Sequence, residues 1–485
     1  MHYDLVIRNA TVIDGTRAPR YEADIFIAGG RIAAVGRLDT ASFDAELDAS
    51  GRIAAPGFID AHTHDDRLML SSPEMAPKVS QGVTTVVAGN CGCSLAPAPN
   101  GMRAPVTPPL DLLDDEGGWF RFATFREYVE ELVAHPPATN CALLVGHTML
   151  RVQTMDSLER PAKKAEIARM KSLADEALAA GAIGISTGLY YEPARGAPTD
   201  EVVQVCRPLA ARNGLYVTHM RDEGANVLVS LEETFRIGRE VGVPVVISHH
   251  KVAGAENHGR SRETLPLIEA RMKSQKIGLD CYPYCASSTI LSASRAAGAS
   301  KTLVTWSKPH PEVAGMDLGE IKRQFNFSIE QLLPAGAIYF SMDEQDVQRI
   351  LSFEHTMIGS DGLPHDAAPH PRLWSTFPRV LGHYARGLGL FPLETAVYKM
   401  TGLTARTFGL ADRGVLAPGM AADITIFDPG TVGCKERPEI RHDLPRGGRR
   451  LVSMAEGIRC VIVNGTVLLN DGQHTGDLPG QALRP

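Results

Sequence analysis

Between residues 58 and 359, eight short apolar runs alternate with segments of helical periodicity, and no other feature constrains the fold of this chain as strongly. The runs cover 58–61, 83–88, 141–145, 182–186, 215–218, 243–248, 277–279 and 356–359. Runs that are apolar throughout belong to strands buried on both faces, and strands separated by helices pair in parallel. Eight such units match a closed (β/α)8 barrel better than an open sheet. The intervening segments agree. Residues 165–180 carry Ile167, Met170, Leu173, Ala174, Ala177 and Leu178 at helical spacing, after Pro161 and before Gly181. Thr199 is the expected N-cap of a helix that stops at Asn213-Gly214.

The two ends of the chain read differently. Residues 5–8, 11–13, 23–28 and 32–35 are short strand-like runs between Asp14-Gly15 and Gly29-Gly30 turns, and 423–427, 458–463 and 466–469 repeat the pattern. The expected organisation is a (β/α)8 barrel over 56–412 and a small β-sandwich domain built from both termini, 1–55 and 413–485. Two stretches break the barrel rhythm: the Pro- and Gly-rich segment 90–118 and a long insertion, 282–345, between the last two strands. Both follow strand ends, where a barrel places its active site, so they are expected to serve as binding loops or lids.

Composition narrows the function classes. Forty-nine Lys and Arg against 56 Asp and Glu leave a net charge of -7, which favours neither nucleic acid nor anionic membrane as a partner. No apolar stretch is long enough for a bilayer and the start lacks a leader pattern, so a cytoplasmic protein acting on a small molecule is expected. The oligomeric state is left open. Eight cysteines with no Cys-x-x-Cys pair argue against a disulfide framework and leave a thiolate ligand or nucleophile as the roles open to a functional Cys.

Chemistry-bearing residues gather at the expected strand ends. Strand one ends in Asp60-Ala61-His62-Thr63-His64, whose two histidines are two apart and can share a face. Strand two ends in Asn90-Cys91-Gly92-Cys93, strand five in Thr218-His219, strand six in Ser248-His249-His250-Lys251 and strand eight in Ser360-Asp361-Gly362. A thiolate, imidazoles and a carboxylate on one rim make a donor set suited to zinc.

The segments PGFIDAHTH, GVTTVVAGNCG, IGISTGLYYEPA, THMRDE, ISHHK and GSDGLPH together resemble the D-aminoacylase (N-acyl-D-amino-acid deacylase) family of the amidohydrolase superfamily, along essentially the whole chain. The resemblance implies zinc-dependent hydrolysis of the amide of an N-acyl-D-amino acid. Many amidohydrolases carry a lysine at the end of strand four; here Gly-Ile-Ser-Thr-Gly-Leu-Tyr-Tyr stands there instead. By the resemblance Cys91, His219 and His249 hold the tight zinc, His62 and His64 form with Cys91 a second site that is weak or empty, and Asp361 is the catalytic base and acid. Cys93 and His250 are assigned to packing, and His365 and His370 to loop structure. His147 has a structural and a catalytic role equally open.

Lys251, Tyr282 and Arg372 are the implied donors to the substrate's α-carboxylate. Arg295 is the only cation in 283–298 and stands among small and polar residues, which by composition alone reads as a solvated loop arginine; with the resemblance and its place in the loop it is expected to partner a side-chain carboxylate, which implies N-acyl-D-glutamate. The alternatives are a broad deacylase for hydrophobic N-acyl-D-amino acids, a cyclic-amide or isoaspartyl-peptide hydrolase, which the missing strand-four lysine disfavours, and a silent scaffold, which the complete ligand set disfavours.

Overall fold

The computed structural model describes residues 2–38, 42–444 and 448–484. Its centre is a parallel sheet of eight strands: β1 (Phe58–Asp60), β2 (Val83–Ala88), β3 (Asn140–Gly146), β4 (Gly184–Gly188), β5 (Leu215–His219), β6 (Val245–Ile247), β7 (Ile277–Cys281) and β8 (Thr356–Ile358). Each pairs with its neighbour in chain order. β1 and β8 meet through Ala61 N to Ile358 O (3.2 Å), Asp361 N to His62 O (2.8 Å) and a single bridge between Thr63 and Gly362, so the sheet closes as a barrel. Every residue of β2, β3, β4 and β5 is buried, which is why these strands read as unbroken apolar runs rather than alternating ones. The helix Lys164–Ala180 buries Met170, Ala174, Ala177 and Leu178 and ends at Gly181 in the left-handed conformation.

Thr199 is not a cap. It is the first residue of the helix Thr199–Cys206, after Pro198 in extended conformation, and its hydroxyl donates to Glu233 (2.9 Å). Proline at that place presets the entry angle, which frees the threonine for a tertiary bond.

The termini build one nine-stranded mixed sheet, joined where Ile53–Pro56 pairs antiparallel with Ile424–Phe427. The runs 5–8 and 11–13 are a single strand, His2–Val12, with an irregularity between Ile7 and Ala10 where Asn9 takes φ 56°. Asparagine tolerates that left-handed turn, so the strand bulges instead of ending. The insertion after β7 forms a three-stranded antiparallel sheet, Ala286–Ile290, Lys301–Ser307 and Ala335–Phe340, over its own core of Val304, Ile321, Leu332 and Ala337.

Near the end of the chain Ala482–Leu483 pairs in parallel with Cys141 and Ala142 of β3, and Cys141 N donates to Gln481 O (2.9 Å). This segment fills the lower part of β3, which β4 reaches only from Leu144 onward. Removing residues 480–485 leaves those backbone groups unpaired and is expected to lower unfolding stability by about 2–4 kcal/mol, read as a lower urea midpoint at unchanged slope.

Candidate metal centre and substrate pocket

The local turn chemistry explains how a cysteine comes to face the barrel axis. Past β2 the chain turns through Gly89 (φ 84°), Cys91 (φ 54°) and Gly92 (φ 77°). A side chain at Gly89 would lie 2.1 Å from Leu144 O and one at Gly92 2.6 Å from Thr148 Oγ1, so the turn sits hard against β3 and needs both glycines. His249 (φ 37°) and Asp361 (φ 50°) also adopt the left-handed backbone that non-glycine residues avoid at a cost of about 1–3 kcal/mol each. Such strain persists where surrounding bonds enforce it. His249 N donates to Asp280 Oδ1 (2.9 Å) and Asp361 N to His62 O (2.8 Å).

These turns bring the rim residues together. Cys91 Sγ lies 3.3 Å from His62 Nε2 and 3.3 Å from His249 Nε2. Asp361 Oδ1 is 3.6 Å from His62 Nε2 and 3.2 Å from His64 Nε2, while its Oδ2 pairs with Arg372 Nη1 at 2.9 Å. Donor atoms within 4.8 Å of one another define three overlapping groups able to hold a metal ion: His62, His64 and Cys91; Cys91, His219 and His249; and His62, His249 and Asp361. All six residues are buried.

The donor set fits a metal on two further counts. Both ring nitrogens of His219 are buried without a hydrogen-bond partner among the described residues, a cost that a bound cation relieves at the coordinating nitrogen. Burial pushes His62 down to about 3 and lowers His219 and His249 as well, which keeps the imidazoles neutral as ligands must be. Burial also drives the Cys91 thiol well up, so its thiolate requires a cation beside it. Asp361 stays ionised: burial opposes its charge, but the Arg372 guanidinium and a hydrogen bond from His64 hold it well below the usual carboxylate range.

The other sequence candidates divide. Lys251 Nζ is 2.7 Å from Glu223 Oε1 and lies over the Tyr282 ring at 5.5 Å, and Arg372 lies over the same ring at 4.6 Å. The hydroxyl of this ring is buried and has no hydrogen-bond partner among the described residues. Arg295, in the middle of the short helix Ala293–Ala297, turns into the pocket and stacks on Tyr190 at 4.0 Å; among the described residues no carboxylate pairs with it. Leu112, Tyr191 and Thr289 line the same pocket, and Tyr191 is bonded to Thr289 through their hydroxyls (2.9 Å).

Cys93 packs into the main apolar core, and His250 points away to Thr264 Oγ1 (2.9 Å). His147 lies 3.8 Å from Glu201, outside the three donor groups. His370 Nδ1 accepts from Arg372 N (3.0 Å), so it shapes the turn that delivers Arg372, and His365 is half-buried in the same loop.

Two site residues escape the sequence reading. Glu223 contacts His249 Nδ1 (3.0 Å), His219 Nε2 (3.6 Å) and Lys251, which together hold its carboxyl well below the ordinary range against the opposing effect of burial. Asp280, next to the last residue of β7, lies 3.7 Å from His62 Nδ1, and burial raises it to about 7. A signal was present for Asp280, a carboxylate near a strand end like Asp361.

A closed βα barrel with a thiol, four imidazoles and a carboxylate on its C-terminal rim defines a metal-dependent hydrolase. A profile of the amidohydrolase family matches residues 45–296 and 324–469. The chain is 55% identical to D-aminoacylase of Alcaligenes xylosoxydans xylosoxydans, covering 99% of this chain and 97% of the relative, and 46% identical to N-acyl-D-glutamate deacylase of the same organism, covering 99% and 96%. It is also similar to the crystal structure of N-acyl-D-glutamate deacylase from Bordetella bronchiseptica complexed with zinc and a phosphonate mimic of the tetrahedral intermediate, with TM-score 0.93 and 44% identity over the whole of both chains. The chain belongs to the amidohydrolase family, in the branch that contains D-aminoacylase and N-acyl-D-glutamate deacylase. No helix among the described residues is long and apolar enough to cross a membrane.

Proposed function

We propose that this chain hydrolyses the amide bond of N-acyl-D-amino acids, releasing a carboxylate and the free D-amino acid, and that it prefers N-acyl-D-glutamate. The observation that carries the reaction is the juxtaposition of Cys91, His219 and His249 with the Asp361 carboxylate. Cys91, His219 and His249 would hold one tight zinc; His62 and His64 would share Cys91 in a second site, weak or empty. When bound, zinc supplies a Lewis acid for the carbonyl and lowers the pKa of water.

The rest falls to side chains. Asp361 Oδ1 takes a proton from the attacking water and returns it to the departing nitrogen, while Arg372 on Oδ2 keeps that oxygen aimed. Tyr282, over whose ring Lys251 and Arg372 lie, offers its hydroxyl to the α-carboxylate. Residues 56–412 are the catalytic unit, 282–345 its lid, and 1–55 with 413–485 the accessory β-domain.

Arg295 supports the glutamate preference, because a pocket guanidinium without a protein carboxylate partner is set to receive one from the ligand. A second reading, a broad deacylase for apolar substrates, draws on the higher identity to D-aminoacylase and on the Tyr190 ring beneath that guanidinium. Arg295→Leu separates them. A desolvated charged hydrogen bond is worth about 1.5–3 kcal/mol, or roughly 10- to 150-fold, so kcat/KM for N-acetyl-D-glutamate falls by that factor. For N-acetyl-D-leucine it holds or rises. Equal changes for both substrates would favour the broad enzyme.

A further inference from the structure

Lys78 is buried along its entire length, in the short helix Ala76–Val79 that precedes β2. Its ammonium lies 2.8 Å from Asp60 Oδ2, 2.8 Å from Ser360 Oγ and 3.4 Å from Asp65 Oδ2, and all three partners are equally buried. Taking a lysine out of water costs several kcal/mol, and an apolar residue of the same volume would serve packing alone as well or better. A purely structural role therefore leaves the charge unexplained. Its partners show what the charge does.

Asp60 is the last residue of β1 and Ser360 lies two residues beyond β8. Asp60 Oδ1 accepts from Ser360 N (2.8 Å) and from His62 N (3.3 Å), and Ser360 Oγ accepts from Gly362 N (3.3 Å). Lysine, aspartate and serine thus tie the backbone on both sides of Asp361 to the backbone that leads into His62. They do so at the seam of the barrel, where β1 and β8 share one isolated bridge and few backbone bonds. The seam is also tight: a side chain at Gly359 would lie 2.7 Å from His62 Cβ. The helix carrying Lys78 is anchored in turn by Gln81, whose Nε2 donates to Leu373 O (2.8 Å) and whose Oε1 accepts from Phe377 N (3.3 Å), on the segment that carries Arg372. Burial opposes the ammonium charge, but Asp60 and Asp65 outweigh it and keep Lys78 protonated.

We propose that Lys78 is a positioning residue: through Asp60 and Ser360 it clamps the ends of β1 and β8 and so sets Asp361 against His62 and His64. The inference rests on the hydrolytic role given to Asp361 above, and its test is arranged to fail separately from that reading.

The test uses the zinc-loaded full chain and the variants Ser360→Ala and Lys78→Met, each alone and combined with Asp361→Asn. Ser360→Ala removes one arm of the clamp and no charge, so it is expected to fold even where Lys78→Met does not, and its melting temperature checks this. A misplacement of about 1 Å costs up to about 100-fold, so Ser360→Ala is expected to lower kcat by roughly 10- to 100-fold with KM within about twofold. In the Asp361→Asn background the same change is expected to cost nothing further, because the clamp works through that carboxylate. An unchanged kcat, or the same fall in both backgrounds, overturns the proposal.

Protein loaded with two equivalents of cobalt(II), so that the site of His62, His64 and Cys91 is filled as well, supplies a readout independent of turnover. Displaced visible bands in Ser360→Ala uphold the clamp, and bands identical to the parent overturn it. If the parent chain hydrolyses no N-acyl-D-amino acid, the proposed function falls and the cobalt spectrum alone decides the clamp.

Discussion

Cys91→Ala is expected to abolish both tight zinc binding and hydrolysis, while Cys93→Ala, two residues away, leaves zinc in place and activity near normal. Cys91 Sγ is within 3.3 Å of two imidazole nitrogens and belongs to two of the three donor groups, so its loss opens both candidate sites at once. Cys93 shares the glycine-bounded turn but faces the apolar core, with its Sγ 3.7 Å from Cys91 O. The loss in zinc affinity for Cys91→Ala should exceed the roughly 10- to 100-fold that follows removal of a ligand's hydrogen-bond partner, since a ligand itself is gone. Zinc per chain after dialysis measures it. Equal loss in the two variants would show that the thiols are interchangeable and the assignment mistaken.

Asp361→Asn should give the opposite pattern, retaining zinc and losing turnover. The amide keeps the shape of the carboxylate and sheds its charge, so it neither accepts the water proton nor delivers one to the amine. Proton transfer by a positioned group contributes about 10²- to 10⁴-fold, and kcat is expected to fall within that range. Arg372 then loses its carboxylate partner, 2.9 Å away in the parent, so KM is expected to move as well, because that guanidinium lies over Tyr282, the donor proposed for the substrate's α-carboxylate. Near-normal kcat with zinc intact would remove Asp361 from the proton transfers.

The barrel was legible because a strand buried on both faces leaves a mark that a one-dimensional reading detects: β2 and β3 are apolar almost throughout and lie between helices. The terminal sheet was legible in outline. Its bulge at Asn9 was not, since a left-handed asparagine within a strand resembles a turn between two strands. The two-residue strand Ala482–Leu483 is too short to carry any periodicity, and its partner is more than 300 residues away.

At the site, residues that end strands could be read, because the topology brings every strand end to one rim. Glu223 and Lys78 could not. Glu223 gains its meaning from Lys251 and His249, and Lys78 from Asp60 and Ser360, and nothing local marks either pairing. Arg295 could be read as a pocket cation, whereas its stacking on Tyr190 depends on the turn after β4, more than 100 residues earlier.

The most direct measurement of the metal site is X-ray absorption at the zinc edge of the chain loaded with one equivalent of metal. One sulfur at about 2.3 Å and two imidazole nitrogens at about 2.0–2.1 Å are predicted for Cys91, His219 and His249, with a light-atom ligand completing the shell. A shell of nitrogen and oxygen alone, or one with two sulfurs, would contradict a centre built on Cys91.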